Sequence, residues 1–216
     1  YRFCEIVVLQ WLSGDQKLKE ILDSGADLHS RIYEIVTGDT CDTDIKRKMS
    51  KKMFLPVVYG LGPKGLADNL KIPESAAIKV RTNINTIFST AMNWVLEKQK
   101  IAQEGGIVKD YFGRPRKYEP SEAYAARNLV IQSVAATVCQ EKMIELWKAL
   151  RDTESKLAFS VHDCYGVICS TQDAKATYRI MKDTLETESK LCPGLKMSVE
   201  IKFGARLDDM RVLWRD

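Results

Sequence analysis

Histidine is nearly absent from this chain: the 216 residues contain two, His29 and His162. Six cysteines (Cys4, Cys41, Cys139, Cys164, Cys169 and Cys192) are scattered without a CxxC pair. Together these shortages argue against a structural zinc site. Cysteines on apolar stretches, such as Cys139 and Cys169, pack as small hydrophobes. A reducing, intracellular compartment, here the cytoplasm, is therefore expected. No stretch approaches the roughly 18 uninterrupted apolar residues of a membrane span, so no membrane partner is expected. The start, YRFCEIVVLQWLSGD, is apolar but carries Glu5 and Asp15 and lacks the basic-then-apolar layout of a signal peptide. It does not open on Met, as expected of a processed, trimmed or partial chain. Neither an internal repeat nor a low-complexity segment is visible.

What is present is an ordinary globular composition. Hydrophobic residues make up 45% and charged residues 29%, enough for a real core in one large or two small domains. The net charge of +4 is weak evidence for an anionic partner, but Lys46, Arg47, Lys48, Lys51 and Lys52 crowd one short segment. Apolar spacing predicts helices over Phe3 to Leu12, in DQKLKEIL and in ADLHSRIYEIVTG, where Asp27 is a plausible N-cap and Gly38 a terminator. DTDIKRKMSKKMFLPVVYG reads as a helix that Pro56 should kink or end early. After a short helix in PKGLADNLK, one long helix is expected from Pro73 to about Lys100. GIVKDYFGRPRKYEP is β-like, and a second long helix runs from Ser121 to about Asp152. KLAFSVHDCYGVICS reads as two apolar strands around a tight turn, TQDAKATYRIMKDTLETESK as an amphipathic helix, and LKMSVEIKFG as an alternating strand. Helices followed by a small, mostly antiparallel sheet make an α+β pattern.

Four constellations could carry chemistry. Arg47, Lys51, Leu55 and Tyr59 are spaced by four and form one helical stripe. Its cations suit a triphosphate and its apolar end a base or sugar; a solvated basic face running into a core face has the same spacing. The His162–Asp163 pair sits at a hairpin tip, where the aspartate could bind a hard cation or bond its own turn. Arg114, Arg116 and Lys117 interleave with Tyr111, Phe112 and Tyr118, a loop suited to a phosphate backbone or an ordinary basic turn. Asn128 and Gln132, four apart on the second long helix, could read a minor groove or bond internally.

Taken in order, these segments resemble the C-terminal part of a family A DNA polymerase, of the bacterial DNA polymerase I and phage type. YRFCEIVVLQWLSGD resembles the first palm motif, with Tyr1, Glu5, Leu9, Ser13, Gly14 and Asp15 in place. DLHSRIYEIVTG resembles the segment that follows it. RKMSKKMFLPVVYG resembles the fingers-helix pattern R-x-x-x-K-x-x-x-[FY]-x-x-x-Y-G. GRPRKYEP, NLVIQSVAATV, SVHDCYGVI and LKMSVEIKFGARLDDM resemble the later motifs, and the match covers nearly the whole chain.

The resemblance implies a palm antiparallel sheet with a helical fingers subdomain. Residues 1–38 would start the palm and lead into the fingers, 39–104 would be the fingers with the nucleotide-binding helix, and 105–216 the distal palm. It implies transfer of a nucleotide from a dNTP to a primer 3′-OH, assisted by two Mg²⁺ ions. Arg47 and Lys51 would bind the dNTP phosphates, with His29 a lesser contact. Leu55 and Tyr59 would line the nascent base-pair pocket, and Glu5 would be a steric gate against a 2′-OH, packed on Tyr59. Asp163 would be a metal ligand and His162 would touch the primer terminus. Asn128, Gln132, Arg116 and Arg114 would contact template–primer DNA.

An N-terminal remainder with a thumb, and possibly an exonuclease, is an implied partner. The motif places its first catalytic aspartate immediately before Tyr1, so this segment alone is expected to be inactive; without the palm strand that carries the first motif it is also expected to fold poorly by itself. Leu55 stands where Phe or Tyr is usual and suggests a phage source. Cys164 replaces an expected Glu, which leans toward phage-type single-subunit RNA polymerases. A non-catalytic nucleic-acid-binding fragment or half-polymerase is the alternative from another class.

Overall fold

The computed structural model describes residues 1–212; the last four residues of the expected 105–216 segment lie outside them. Two compact units divide the chain, one formed by 5–134 and the other by 1–4 with 135 onward. Compactness therefore draws different limits from those expected at residues 38 and 104. The longest helix belongs to both units.

In the first unit, α1 (Cys4–Ser13), α2 (Gln16–Asp23) and α3 (Leu28–Thr37) form where expected. Asp27 caps α3 by accepting the Ser30 N–H, and Gly38 ends it at φ 76° in the left-handed region that glycine tolerates. α4 (Asp44–Val58) starts on a Thr43 cap and buries Ser50, Met53, Phe54, Val57 and Val58. That three-and-four spacing leaves Arg47, Lys51, Leu55 and Tyr59 on the less buried side. Pro56 does not end α4, which continues two residues past it. It closes in a glycine-terminated turn: Leu61 N–H donates to Pro56 O and Gly60 N–H to Val57 O. α5 (Pro63–Leu70) follows and packs against α4.

The helix expected from Pro73 to Lys100 is two helices, α6 (Glu74–Ile87) and α7 (Ser89–Gln103), jointed at Phe88. Two forces outweigh the continuous helical pattern. The fully buried Phe88 ring packs edge-on to Phe54 at 5.0 Å. Buried Asp15 spends one carboxylate oxygen on Leu18 N–H, capping α2, and the other on Ala91 N–H in the first turn of α7. β1 (Val108–Lys109) and β2 (Pro115–Arg116) then form a short antiparallel ribbon. α8 (Ala125–Ala149) begins in this unit.

The second unit holds the rest of α8, the antiparallel hairpin of β3 (Lys156–Val161) and β4 (Cys164–Ile168), and α9 (Ala174–Leu185). Its core is Leu146, Leu150, Met181, Leu185 and Ile201, with Tyr1, Leu157, Tyr165 and Val167 packed on it. The two apolar strands and the tight turn form as expected, but only one face of the hairpin meets the core. A register shift between Leu157 and Phe159 turns Phe159 and Val161 outward, and Val161 and Ile168 stay more than half exposed. LKMSVEIKFG is not a strand. Among the described residues it joins no extended ladder: Leu195 bonds Ser189 and Cys192 in the preceding turn, Arg2 N–H donates to Ser198 O, the Glu186 carboxylate takes Val199 N–H, and Phe203 bridges Arg211. An alternating pattern becomes a strand only where a neighbouring strand supplies a ladder.

Candidate functional site

In the first unit the candidate groups gather around α4. Arg47 makes a forked ion pair with Asp27, Nε to Oδ2 at 2.9 Å and Nη2 to Oδ1 at 2.7 Å. The guanidinium is the main reason the Asp27 carboxyl is held well below the usual carboxylate range, and the carboxylate in turn raises Arg47. Lys51, one turn on, is exposed. Half-buried His29 on α3 is pushed down to about 4, first by burial and then by the Lys51 and Arg47 charges, with Asp27 opposing. The structure thus brings His29, Arg47 and Lys51 into one cationic neighbourhood, in which an anion would be welcome and a protonated imidazole is not. Leu55 and Tyr59 continue the stripe as half-buried residues.

Glu5 and Gln132 also meet: Gln132 Nε2 donates to Glu5 Oε1 at 3.2 Å. Asn128 lies on the same side of α8, one turn earlier, and its Oδ1 is buried with no donor among the described residues. Arg116 is exposed, with its guanidinium over Tyr118 at 5.5 Å. Arg114 is committed to its own turn. Its Nε donates to Asp110 Oδ2 at 2.6 Å, and its guanidinium also reaches Ser133 O and lies over the Phe112 ring. Burial alone would raise Asp110. Arg114 and the backbone N–H groups of Arg114 and Phe112 outweigh it and hold that carboxyl low.

Sequence reasoning missed Arg127. It is 4% exposed and donates to Gln99 Oε1 on α7 and to Val58 O at the end of α4. Burial and the nearby Arg81 charge lower its proton affinity. The signal was there: a lone cation immediately before the largely apolar run NLVIQSVAATV.

In the second unit, His162 and Asp163 form the two-residue turn between β3 and β4. His162 takes φ 53°, the left-handed backbone that such turns require and non-glycine residues resist. Gly166, cross-strand from Phe159, is covered by its ring, and a Cβ there would lie 2.1 Å from Phe159 Cε1. The hairpin is anchored behind its tip. Tyr165 OH donates to Cys139 O at 2.7 Å, and the Tyr165 ring meets Tyr1 edge-on at 5.9 Å. The Tyr1 amino group donates to Asp163 O at 2.8 Å, so the first residue's nitrogen sits at the turn. Burial is the main reason both tyrosine hydroxyls resist ionisation.

Asp163 offers one hard oxygen ligand, and its exposed neighbour Cys164 offers soft sulfur. Among the described residues there is no group of three or more His, Cys, Asp or Glu side chains able to hold a metal ion. A hard divalent cation needs several oxygen ligands, so these residues by themselves do not fit a resident ion.

The family model described as DNA polymerase family A matches residues 1–209. The chain belongs to DNA polymerase family A. Among its relatives, DNA polymerase I of Chloroflexus aurantiacus is 25% identical over 226 residues, covering 99% of this chain and 24% of that protein. The thermostable DNA polymerase I of Thermus aquaticus is 25% identical, covering 93% of this chain and 26% of that protein. DNA polymerase I of Lactococcus lactis is 30% identical over 91% of this chain and 24% of that protein. The chain thus spans about a quarter of the length of the curated relatives it matches. Among solved structures, the POL domain of Pol1 from M. smegmatis, in complex with DNA primer-template and dNTP, superposes with a TM-score of 0.76. That match has 25% identity and covers 86% of this chain and 35% of the other. The α+β polymerase fold expected from the sequence is the fold found. The relatives named here are DNA polymerases, which does not favour the RNA polymerase alternative. No helix among the described residues is long and apolar enough to cross a membrane.

Proposed function

We propose that this chain supplies the nucleotide-binding helix and the His–Asp hairpin of a template-directed DNA polymerase, with template–primer DNA and dNTPs as its partners. The observation that carries the reading is the α4 stripe, with Arg47, Lys51, Leu55 and Tyr59 on the helix's less buried side and His29 held neutral beside the two cations. A triphosphate is drawn to such a place because it neutralises charge that the protein leaves concentrated. Leu55 and Tyr59 offer apolar area to the base and sugar one and two turns further on. Glu5, steadied by Gln132, is the residue proposed to discriminate against a 2′-OH. Asn128, Gln132 and Arg116 are the proposed DNA contacts. Arg114 serves that role only through the turn it stabilises.

For the hairpin, the proposal is that Asp163 works with an acidic residue joined to the Tyr1 nitrogen, where the family pattern has an aspartate. Such a residue would stand beside the turn, because that nitrogen lies 2.8 Å from Asp163 O. Magnesium is the proposed cofactor, held by Asp163 together with ligands outside these residues. His162 is the proposed contact of the primer terminus. The remainder of the polymerase, a thumb and possibly an exonuclease, is the proposed partner in the same protein, and Leu55 favours a phage source. The test is Lys51→Ala in the intact protein. A charged hydrogen bond contributes roughly 1.5–3 kcal/mol, so the KM for dNTP should rise about tenfold or more. An unchanged KM would remove the stripe from the nucleotide site.

A further inference from the structure

Pro56 lies inside α4, and a proline there removes the N–H that would bond the carbonyl four residues back. That carbonyl belongs to Lys52, the neighbour of Lys51. It is not left unmade: Asn69 Nδ2 on α5 donates to Lys52 O at 2.9 Å. The backbone that carries the donor is held in place, because α5 packs against α4 and buries Leu66, Ala67 and Leu70 on either side of the exposed Asn69. α4 runs on past the proline to Val58, with Val57 and Val58 buried.

We propose that Asn69 is a positioning residue for the nucleotide-binding helix: its side-chain amide replaces the intrahelical bond that Pro56 removes and fixes the turn that presents Lys51. The consequence for nucleotide binding rests on the proposed polymerase reading. The substituted hydrogen bond does not.

The test is a cycle in the intact protein with Asn69→Ala, Pro56→Ala and both together. Asn69→Ala alone should raise the KM for dNTP roughly three- to tenfold, the scale of one hydrogen bond, with kcat moved less. In the Pro56→Ala background the backbone N–H is restored, so adding Asn69→Ala should change KM by less than about twofold. Amide hydrogen exchange should follow the same pattern, with Met53 to Tyr59 exchanging faster in Asn69→Ala alone and no faster in the double variant than in Pro56→Ala. Equal effects of Asn69→Ala in both backgrounds, or no effect in either, overturn the proposal. If the unsubstituted protein extends no primer, the polymerase reading fails on its own, and the exchange comparison still decides the role of Asn69.

Discussion

Removing the charge of Asp27 separates its two tasks. Its Oδ2 caps α3 by accepting from Ser30 N–H at 3.0 Å and Ser30 Oγ at 2.8 Å, while both oxygens hold Arg47. An N-cap contributes about 1 kcal/mol, and asparagine caps as well as aspartate. The ion pair is only partly shielded, with side-chain exposures of 35% and 33%, so its value belongs near the surface figure of about 1 kcal/mol despite the good fork geometry. Asp27→Ala should therefore cost about 2 kcal/mol and Asp27→Asn about half that. For nucleotide binding the sign reverses. Asp27 places a negative charge beside the cations proposed to take a triphosphate, and it occupies the face of Arg47 that forks a carboxylate. Freeing Arg47 from a pair of that size would tighten binding by up to about fivefold. The assay is single-nucleotide primer extension by intact Asp27→Asn protein, with thermal unfolding alongside. A lower KM with a slightly lower Tm is expected. A higher KM would contradict this, because Asp27 would then be orienting Arg47 for the phosphate instead of competing with it.

Arg127→Met should lower stability by about 2–3 kcal/mol, since it strips a buried donor from Val58 O and Gln99; urea unfolding of the intact protein reads this, and Arg127→Lys should not restore it, lacking the planar fork. His29 sits near 4 when folded against 6.5 as a free side chain, so its neutral form is the one the fold favours. Its contribution is complete above pH 6.5 and is lost as pH falls toward 4, where the unfolded chain binds the extra proton. NMR titration of the His29 ring checks the value, and added dNTP should move its midpoint upward by supplying negative charge.

Much of this was legible in the chain because it is local. The Asp27 and Gly38 caps, the β1–β2 and β3–β4 turns and the α4 stripe follow from spacing and turn chemistry within a few residues. What escaped depends on partners distant in sequence. Nothing near Phe88 announces that Asp15 will hold Ala91 and split one expected helix into two. Pro56 pointed to a helix kinked or ended early, and the donor that meets Lys52 O lies at Asn69, on another helix. Arg47 and Arg114 read as free cations, yet each is met by a carboxylate, Asp27 and Asp110 respectively. LKMSVEIKFG alternates as a strand should, but a strand also needs a neighbour's backbone.

The most direct test of the account is primer extension by the intact protein carrying Asp163→Asn. That change keeps the size of a side chain at a two-residue turn, removes its charge and leaves only a neutral carbonyl oxygen, a far weaker ligand for a hard cation. The account predicts extension reduced to background with an unchanged unfolding midpoint. Full extension by the Asp163→Asn protein would contradict it, and the hairpin would have to be read as a structural turn.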